Sequence, residues 1–418
     1  MTALEIILSL TTALLVFMIW RLTRHQECVY HDDPDGNIQD SLHALAGATH
    51  GTLLDGNVVE LIKNEHFFPA VIEAIGEAQR TVHLETFLWK QGKASEMITD
   101  ALVEASQRGL WVRVMVDARG GSNMGKGTRQ RLEKAGVELY NFHPISPMNF
   151  GRFNIRDHRK ILVLDGTSAF VGGHCITDQW LEDQEKFSRF QDVTARFTGP
   201  IVGSIQSTFA LNWAEAARQH FLDEDTFPPL DPCGDIKAHV ASIKPDNAPS
   251  SVQVLHYLAI ALAKKTIRIQ NPYFLPDSRG IEALKQAVQR GVDVQIMTPG
   301  PDSTDSTYVT YAGRKIYDQL LNIGVRIHEY QVTLLHQKVF TIDGQWAGIG
   351  SSNFDDRSFE INNEITVGIA SEKVTGELDQ LFKDNLRHCE EIKLNSWRQR
   401  SWLPRLKERL CHLCHEQF

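Results

Sequence analysis

Two stretches of this chain place a histidine and a lysine one residue apart, with an aspartate five residues beyond the lysine. They are His158, Lys160 and Asp165, and then His336, Lys338 and Asp343. Side chains two apart on a strand point to the same side, so each imidazole shares a face with an ammonium group. An imidazole can attack phosphorus to give a covalent phosphohistidine, or carry a proton near neutral pH. A neighbouring lysine can hold an anionic oxygen. Two copies of the pattern supply a nucleophile, a separate proton carrier and two cations, which is what displacement at a phosphodiester requires. The runs ILVL and VFTI that follow bury themselves, and Asp165–Gly166 and Asp343–Gly344 then make turns. Small residues come next, Gly172–Gly173 and Gly350–Ser351, where a ligand can approach the backbone closely.

The elements that carry these residues are duplicated. AIGEAQRTVHLETFLW from Ala74 lies over AIALAKKTIRIQNPYF from Ala259, and RGLWVRVMVD from Arg108 over RGVDVQIMTP from Arg290. KAGVELY from Lys134 matches NIGVRIH from Asn322, and the two His-x-Lys stretches then follow in the same order. Repetition of this length marks a duplicated domain. An insertion, HPISPMNFGR at 143–152, precedes the first His-x-Lys and could help to cover a site. The spacing of apolar residues predicts helices over 68–79, 97–108 and 281–290, and VHLETF, VRVMV, IRIQ and VQIM are strand-length runs. Strand–helix alternation gives an α/β sandwich with largely buried sheets. The expected division is an anchor over 1–25, a linker over 26–50, a first domain over 51–231, a second over 232–394 and a basic tail over 395–418.

HxKxxxxD followed by GSxN resembles the phospholipase D superfamily over about 340 residues, from Asn57 to about Leu394. The second half carries the whole pattern in His336, Lys338, Asp343, Gly350, Ser351 and Asn353. The family's downstream acid falls on Glu364 there and on Asp192 in the first half. The first half departs from the pattern, with Gly173 in the serine place and Cys175 in the asparagine place, so phosphate contacts are expected to be asymmetric. Within the superfamily the likeness is to bacterial cardiolipin synthases. The resemblance implies two duplicated α/β sandwich domains about a pseudo-twofold axis, with both motifs meeting at one site. It implies His158, Lys160, Asp165, His336, Lys338 and Asp343 as the catalytic set, with Asp165 and Asp343 as turn and supporting groups. It also implies Lys160, Lys338, Ser351 and Asn353 as phosphate donors. Asp192 and Glu364 would orient the imidazoles and favour their charged forms. Family analogy favours His158 as nucleophile and His336 as acid, a choice the residues themselves leave open. No metal or cofactor is expected.

Leu4 to Trp20 is apolar apart from Glu5, with Arg21 and Arg24 behind it, so a single retained anchor at a cell inner membrane with a cytoplasmic catalytic part is expected. The partners expected are an anionic phospholipid substrate and a membrane. Net charge is −9, which argues against a nucleic-acid partner. The loop GGSNMGKG nearly matches a phosphate loop, but Gly127 stands where the Mg²⁺-binding hydroxyl belongs. CHLCH at the end has metal-ligand residue types with no second ligand pair. The segment from Trp397 to Leu410, with Trp402, Arg405, Lys407 and Arg409, is either a solvated basic tail or a contact with an anionic membrane. The activity favoured is phosphatidyl transfer between two phosphatidylglycerols, giving cardiolipin and glycerol. Hydrolysis to phosphatidic acid is the alternative, because the motif serves both.

Overall fold

A computed structural model describes residues 2–22, 36–144, 154–183, 188–221, 223–243 and 250–413. The insertion expected to cover the site falls mostly outside them, at 145–153, as do Cys414 and His415 of the CHLCH tail.

The first half contributes β1 (Leu54–Lys63), β2 (Thr81–Thr86), β3 (Trp111–Asp117), β4 (Glu138–Phe142), β5 (Lys160–Leu164), β6 (Ser168–Gly172) and β7 (Val193–Thr198). The second contributes β8 (Ile236–Ile243), β9 (Thr266–Gln270), β10 (Asp293–Pro299), β11 (Arg326–Tyr330), β12 (Val339–Ile342), β13 (Trp346–Gly350), β14 (Glu364–Ala370) and β15 (Cys389–Ile392). Among the described residues these form one continuous mixed sheet, in the order β15-β11-β10-β9-β12-β13-β14-β8-β1-β7-β6-β5-β2-β3-β4. Apart from β15, the order reads the same from either end once each strand is replaced by its partner in the other half. The antiparallel pair β1–β8 is the seam. In each half, three parallel strands lie outermost among the repeated strands, and an antiparallel meander leads from them to the seam.

Strands β2 and β5 are buried along their whole length; β5 runs apolar after Lys160, whereas β2 alternates and keeps Thr81, His83 and Glu85 inside the fold. Helices α3 (Phe67–Glu77), α4 (Lys93–Gln107) and α5 (Lys126–Lys134) cover the outer part of the first half; α7 (Ser251–Leu262), α8 (Ser278–Gln289) and α10 (Tyr317–Asn322) cover the second. A third core belongs to both halves. Ile161, Val171 and Phe197 share it with Val339, Ile349 and Ile365, together with α6 (Ile201–Ala217) and α11 (Glu372–Leu386). The start of the repeat is marked by matching arginines. Arg108 donates to the Ile75 and Ala78 carbonyls, and Arg290 to those of Ile260 and Ala261.

Helix α1 (Ala3–Leu22) carries the N-terminal apolar run, and residues 2–17 are exposed. Among the described residues no helix is long and apolar enough to cross a membrane. Part of the stretch expected as a linker is instead packed. Helix α2 (Leu42–Ala48) and the short segment before it place Ile38, Leu42 and Leu45 at helical spacing, and these join the core under α7. The end of the chain is packed too. Helices α9 (Thr307–Arg314), α12 (Leu394–Arg398) and α13 (Trp402–His412) form a layer beside the second half, with Trp397 and Cys411 buried.

Candidate active site

Each His-x-Lys sits at the start of a meander strand, and the backbone sets it against the other half. His158 N donates to the Asn363 carbonyl at 3.0 Å, and Asn363 N donates to Arg156 O at 2.9 Å. The pseudo-symmetric exchange is His336 N to Gln191 O at 2.7 Å and Gln191 N to Leu334 O at 2.9 Å. Because Asn363 and Gln191 each precede an acid, these exchanges deliver a carboxylate across the seam. His158 Nδ1 lies 2.8 Å from Glu364 Oε1, and His336 Nδ1 lies 2.8 Å from Asp192 Oδ2. Each histidine therefore takes its acid from the opposite half. A carboxylate on Nδ1 fixes the tautomer and leaves Nε2 as the reactive nitrogen. Aromatic edges complete each ring's setting, Phe87 against His158 at 5.0 Å and Trp180 against His336 at 5.1 Å.

The lysines lie where strand geometry sends them. Lys338 Nζ is 2.8 Å from both His336 Nε2 and the His336 carbonyl, and Lys160 Nζ donates to the His158 carbonyl. Burial lowers Lys338 to about 7, with Lys160 adding to the push and Asp192 opposing it. Burial also lowers His158 to about 4, against the pull of Glu364. His336 is pushed well below the ordinary value by burial, then by Lys338 and Lys160. The acids were expected to favour charged imidazoles, but desolvation outweighs them and both rings rest neutral.

The two acids are held differently. Glu364 accepts from the Ser351 hydroxyl as well as His158, and Ser351 Oγ in turn accepts from Ile365 N at 3.1 Å. Burial would raise Glu364, but His158, Lys160 and Ser351 together hold it below the usual range. Asp192 accepts from Trp180 Nε1 at 3.0 Å and from its neighbour Val193 N at 2.9 Å, and burial carries it up to about 7. Gly173 explains why no serine stands here: a Cβ would lie 2.4 Å from Asp192 Oδ1. The shorter acid fills the place of the missing side chain, and an indole replaces the hydroxyl as donor. Asn353 is buried near the second motif; its Oδ1, an acceptor, has no hydrogen-bond partner in the described structure, and a contact with an anionic oxygen would fall to its Nδ2. Cys175, in its place in the first half, packs with Trp89 and Ile176, and burial raises its thiol.

Asp165 and Asp343 were placed in the catalytic set, but both face away from the imidazoles. Each has positive φ, 52° and 56°, at the head of an Asp-Gly turn. Asp165 accepts from Gln79 N, Arg80 N and Thr81 N at 2.7–2.9 Å, and Asp343 from Lys264 N, Lys265 N and Thr266 N at 2.7–2.8 Å. They tie the far end of each motif strand to the start of β2 and β9. Both acids thus fix where the His-x-Lys strand lies without touching its chemistry.

Sequence reasoning passed over a charged layer beneath His158. Asp117 Oδ2 accepts from Asp157 N at 3.0 Å, and Arg159 donates to the carbonyls of Glu364, Thr208 and Ile243. Asn212 bridges Glu85 and Asp157, and burial raises both of those acids. The signal was the charge of Asp157 and Arg159 on either side of His158, just before a strand that is buried along its length. The glycine-rich loop serves packing: a Cβ on Gly120 would lie 1.9 Å from the Phe87 carbonyl. Among the described residues no cluster of three or more His, Cys, Asp or Glu could hold a metal ion.

The matches to known proteins follow the same duplication. A family described as cardiolipin synthase, PLD-like domain, matches residues 71–194 and 258–386. Relatives include a probable cardiolipin synthase of Bacillus subtilis, 30% identical over 372 residues, 88% of this chain and 73% of the relative. Another is cardiolipin synthase 2 of Bacillus anthracis, 32% identical over 83% of this chain and 68% of the relative. Among solved structures, a phosphatidylserine synthase of Haemophilus influenzae superposes with a TM-score of 0.69 at 13% identity, over 90% of this chain and all of that one, a likeness of fold alone. Since each matched segment carries one His-x-Lys strand and one of the two crosswise acids, the chain belongs to the cardiolipin synthase family of PLD-like proteins.

Proposed function

We propose that this protein moves a phosphatidyl group from one phosphatidylglycerol to another, giving cardiolipin and glycerol. The observation that carries this reading is the pair of crosswise imidazole–carboxylate contacts, with two lysines beside them. In the first step His158 Nε2 attacks phosphorus, and the phosphorus–glycerol oxygen bond breaks. The leaving alkoxide takes a proton from His336, and glycerol departs. In the second step His336 takes the proton back from a hydroxyl of a second phosphatidylglycerol. That oxygen displaces His158 and forms the new phosphodiester. One phosphodiester is lost and one is made, so excess glycerol drives the exchange backward.

Lys160, Lys338 and Asn353 hold the non-bridging oxygens, and Ser351 keeps Glu364 in place. A neutral His158 with an anionic Glu364 on Nδ1 suits a nucleophile, because the carboxylate stabilises the positive charge of the phosphorylated ring. His336 must be protonated to act as acid. The phosphate charge drawn in between the lysines offsets the cationic push that, after burial, keeps it neutral. The apolar helix α1 we assign to a cell inner membrane as a single anchor, with Arg21 and Arg24 on the cytoplasmic side. Lipid hydroxyls are concentrated there, and that favours transfer over hydrolysis.

Labelled phosphatidylglycerol vesicles test the reading. Cardiolipin and glycerol should dominate by mass, with phosphatidic acid minor. Phosphatidic acid as the main product at every lipid density, unmoved by added glycerol, would make the protein a hydrolase.

A further inference from the structure

The last helix presents an apolar stripe that the rest of the described molecule leaves uncovered. Trp402 is 71% exposed, Leu403 61%, Leu406 43%, Leu410 57% and Leu413, just past the helix end, 76%. At about 100° per residue these five side chains fall within an arc of about 100°. Lys407 borders the stripe on one side, with Arg405 and Arg409 on the other. The opposite face is anchored. Glu408 is buried in ion pairs with Arg400 and Arg314, and Cys411 packs with Leu275, Val309 and Ala312. Arg400 lies over the buried Trp397 ring at 3.0 Å. The stripe is therefore held outward by a fixed inner face, and is not the exposed side of a loose tail.

We infer that this face of α13 is a docking surface for an anionic phospholipid bilayer, a role that rests on the lipid substrate proposed above. The charge pattern selects that occupant. The chain carries a net charge of −9, so an anionic membrane repels it as a whole. Beyond a Debye length of about 8 Å that repulsion is screened, and the residues at the contact decide. There the stripe is bordered by Lys407, whose ammonium lies over the Tyr311 ring at 3.8 Å, by Arg405, which donates to the Arg398 carbonyl, and by Arg409, so that positive charge is held along both edges of the apolar face, as an anionic lipid surface requires. Aromatic Trp402 suits the same boundary.

The position of the helix couples this surface to the site. Through Cys411, α13 meets Leu275, and Leu275 N donates to the Phe354 carbonyl at 2.8 Å. Phe354 follows Asn353, the candidate phosphate donor. A membrane under α13 thus lies a few packed side chains from the second motif. Docking by α13 sets which way the site faces.

The test uses the full-length protein with two variants. One is Trp402→Phe. The other, Leu406→Glu with Leu410→Glu, changes exposed side chains only. Vesicles of phosphatidylglycerol and phosphatidylethanolamine with brominated acyl chains should quench a fluorescence component that Trp402→Phe removes. The double variant should lower turnover on phosphatidylglycerol vesicles about tenfold or more, since two leucines leave the lipid. On short-chain phosphatidylglycerol dispersed in detergent it should match the parent within about twofold. Absence of the Trp402 quenching component, or equal turnover of variant and parent on vesicles, overturns the docking surface. A change in sedimentation caused by the double variant in detergent, with vesicle turnover intact, assigns the stripe to a second copy and overturns it too. If the parent makes no lipid product in either medium, the proposed activity fails, and the quenching still decides whether the helix docks.

Discussion

His158 meets Glu364 and His336 meets Asp192 at the same 2.8 Å, yet the two carboxylates keep different company. Glu364 has a serine hydroxyl, an imidazole and Lys160 around it and stays ionised. Asp192 has an indole N–H and its neighbour's amide, and burial brings it to about 7. Lys338 also comes to about 7, and it bonds the very nitrogen of His336 that must exchange a proton. Duplication thus preserved a geometry while its two copies diverged in charge. One copy holds a fixed negative charge behind the ring proposed above as nucleophile. The other gathers groups that titrate near neutrality around the ring proposed as proton carrier.

The most severe way to break this comparison is to remove either ring. His158→Ala and His336→Ala should each lower turnover roughly 10³-fold or more, and the double change should add little. Enzyme quenched with denaturant at neutral to mildly alkaline pH, where the phosphorus–nitrogen bond survives, should carry the phosphatidyl group on the peptide that contains His158, and label on the His336 peptide would reverse the two roles. Next come the acids. Glu364→Gln should cost about 10²-fold in kcat, and Asp192→Asn about tenfold, because an amide imitates the partly protonated acid better than the ionised one. Equal losses would mean that the electrostatic difference has no kinetic consequence.

A pH profile sharpens the same point. With its pKa lowered to about 7, Lys338 is charged below that pH and neutral above it. Turnover should therefore fall on an alkaline limb. Lys338→Arg should keep its charge and move the limb upward by more than about one unit, even if its peak rate is lower. A limb that stays in place belongs to another group. The smallest effect concerns the glycine. Gly173→Ser would press a side chain against Asp192 and should destabilise the fold by about 1–3 kcal/mol, read as a lower midpoint in thermal unfolding. An unchanged midpoint would show that Asp192 can move aside freely.

The repeat, the strand that carries each His-x-Lys, and the identity of both acids were legible because they are local patterns. The Asp-Gly turns were legible for the same reason, although their aspartates had been set among the catalytic residues. The crosswise pairing was not legible. His158 and Glu364 are 206 residues apart and His336 and Asp192 are 144 apart, and no spacing in the chain records which acid crosses the seam. The charge states were hidden as well. They depend on how completely water is excluded, and burial here outweighs the paired acid. Helix α2 was missed because seven residues give too short a period to stand out from a polar stretch. Trp180 stands in GGHCITDQW, and nothing in that stretch says that its N–H would reach Asp192.

The backbone exchange at the seam also has a consequence during synthesis. A ribosome that has released the first half has made His158 and Asp192, but neither has its partner. His336 arrives later and Glu364 later still, so the reactive ring of the first half gains its carboxylate only near the end of translation. An incomplete chain that reaches lipid early thus carries an imidazole without the group that aims it. Because each ring takes its acid from the other half, neither site ring is complete until both halves have been made.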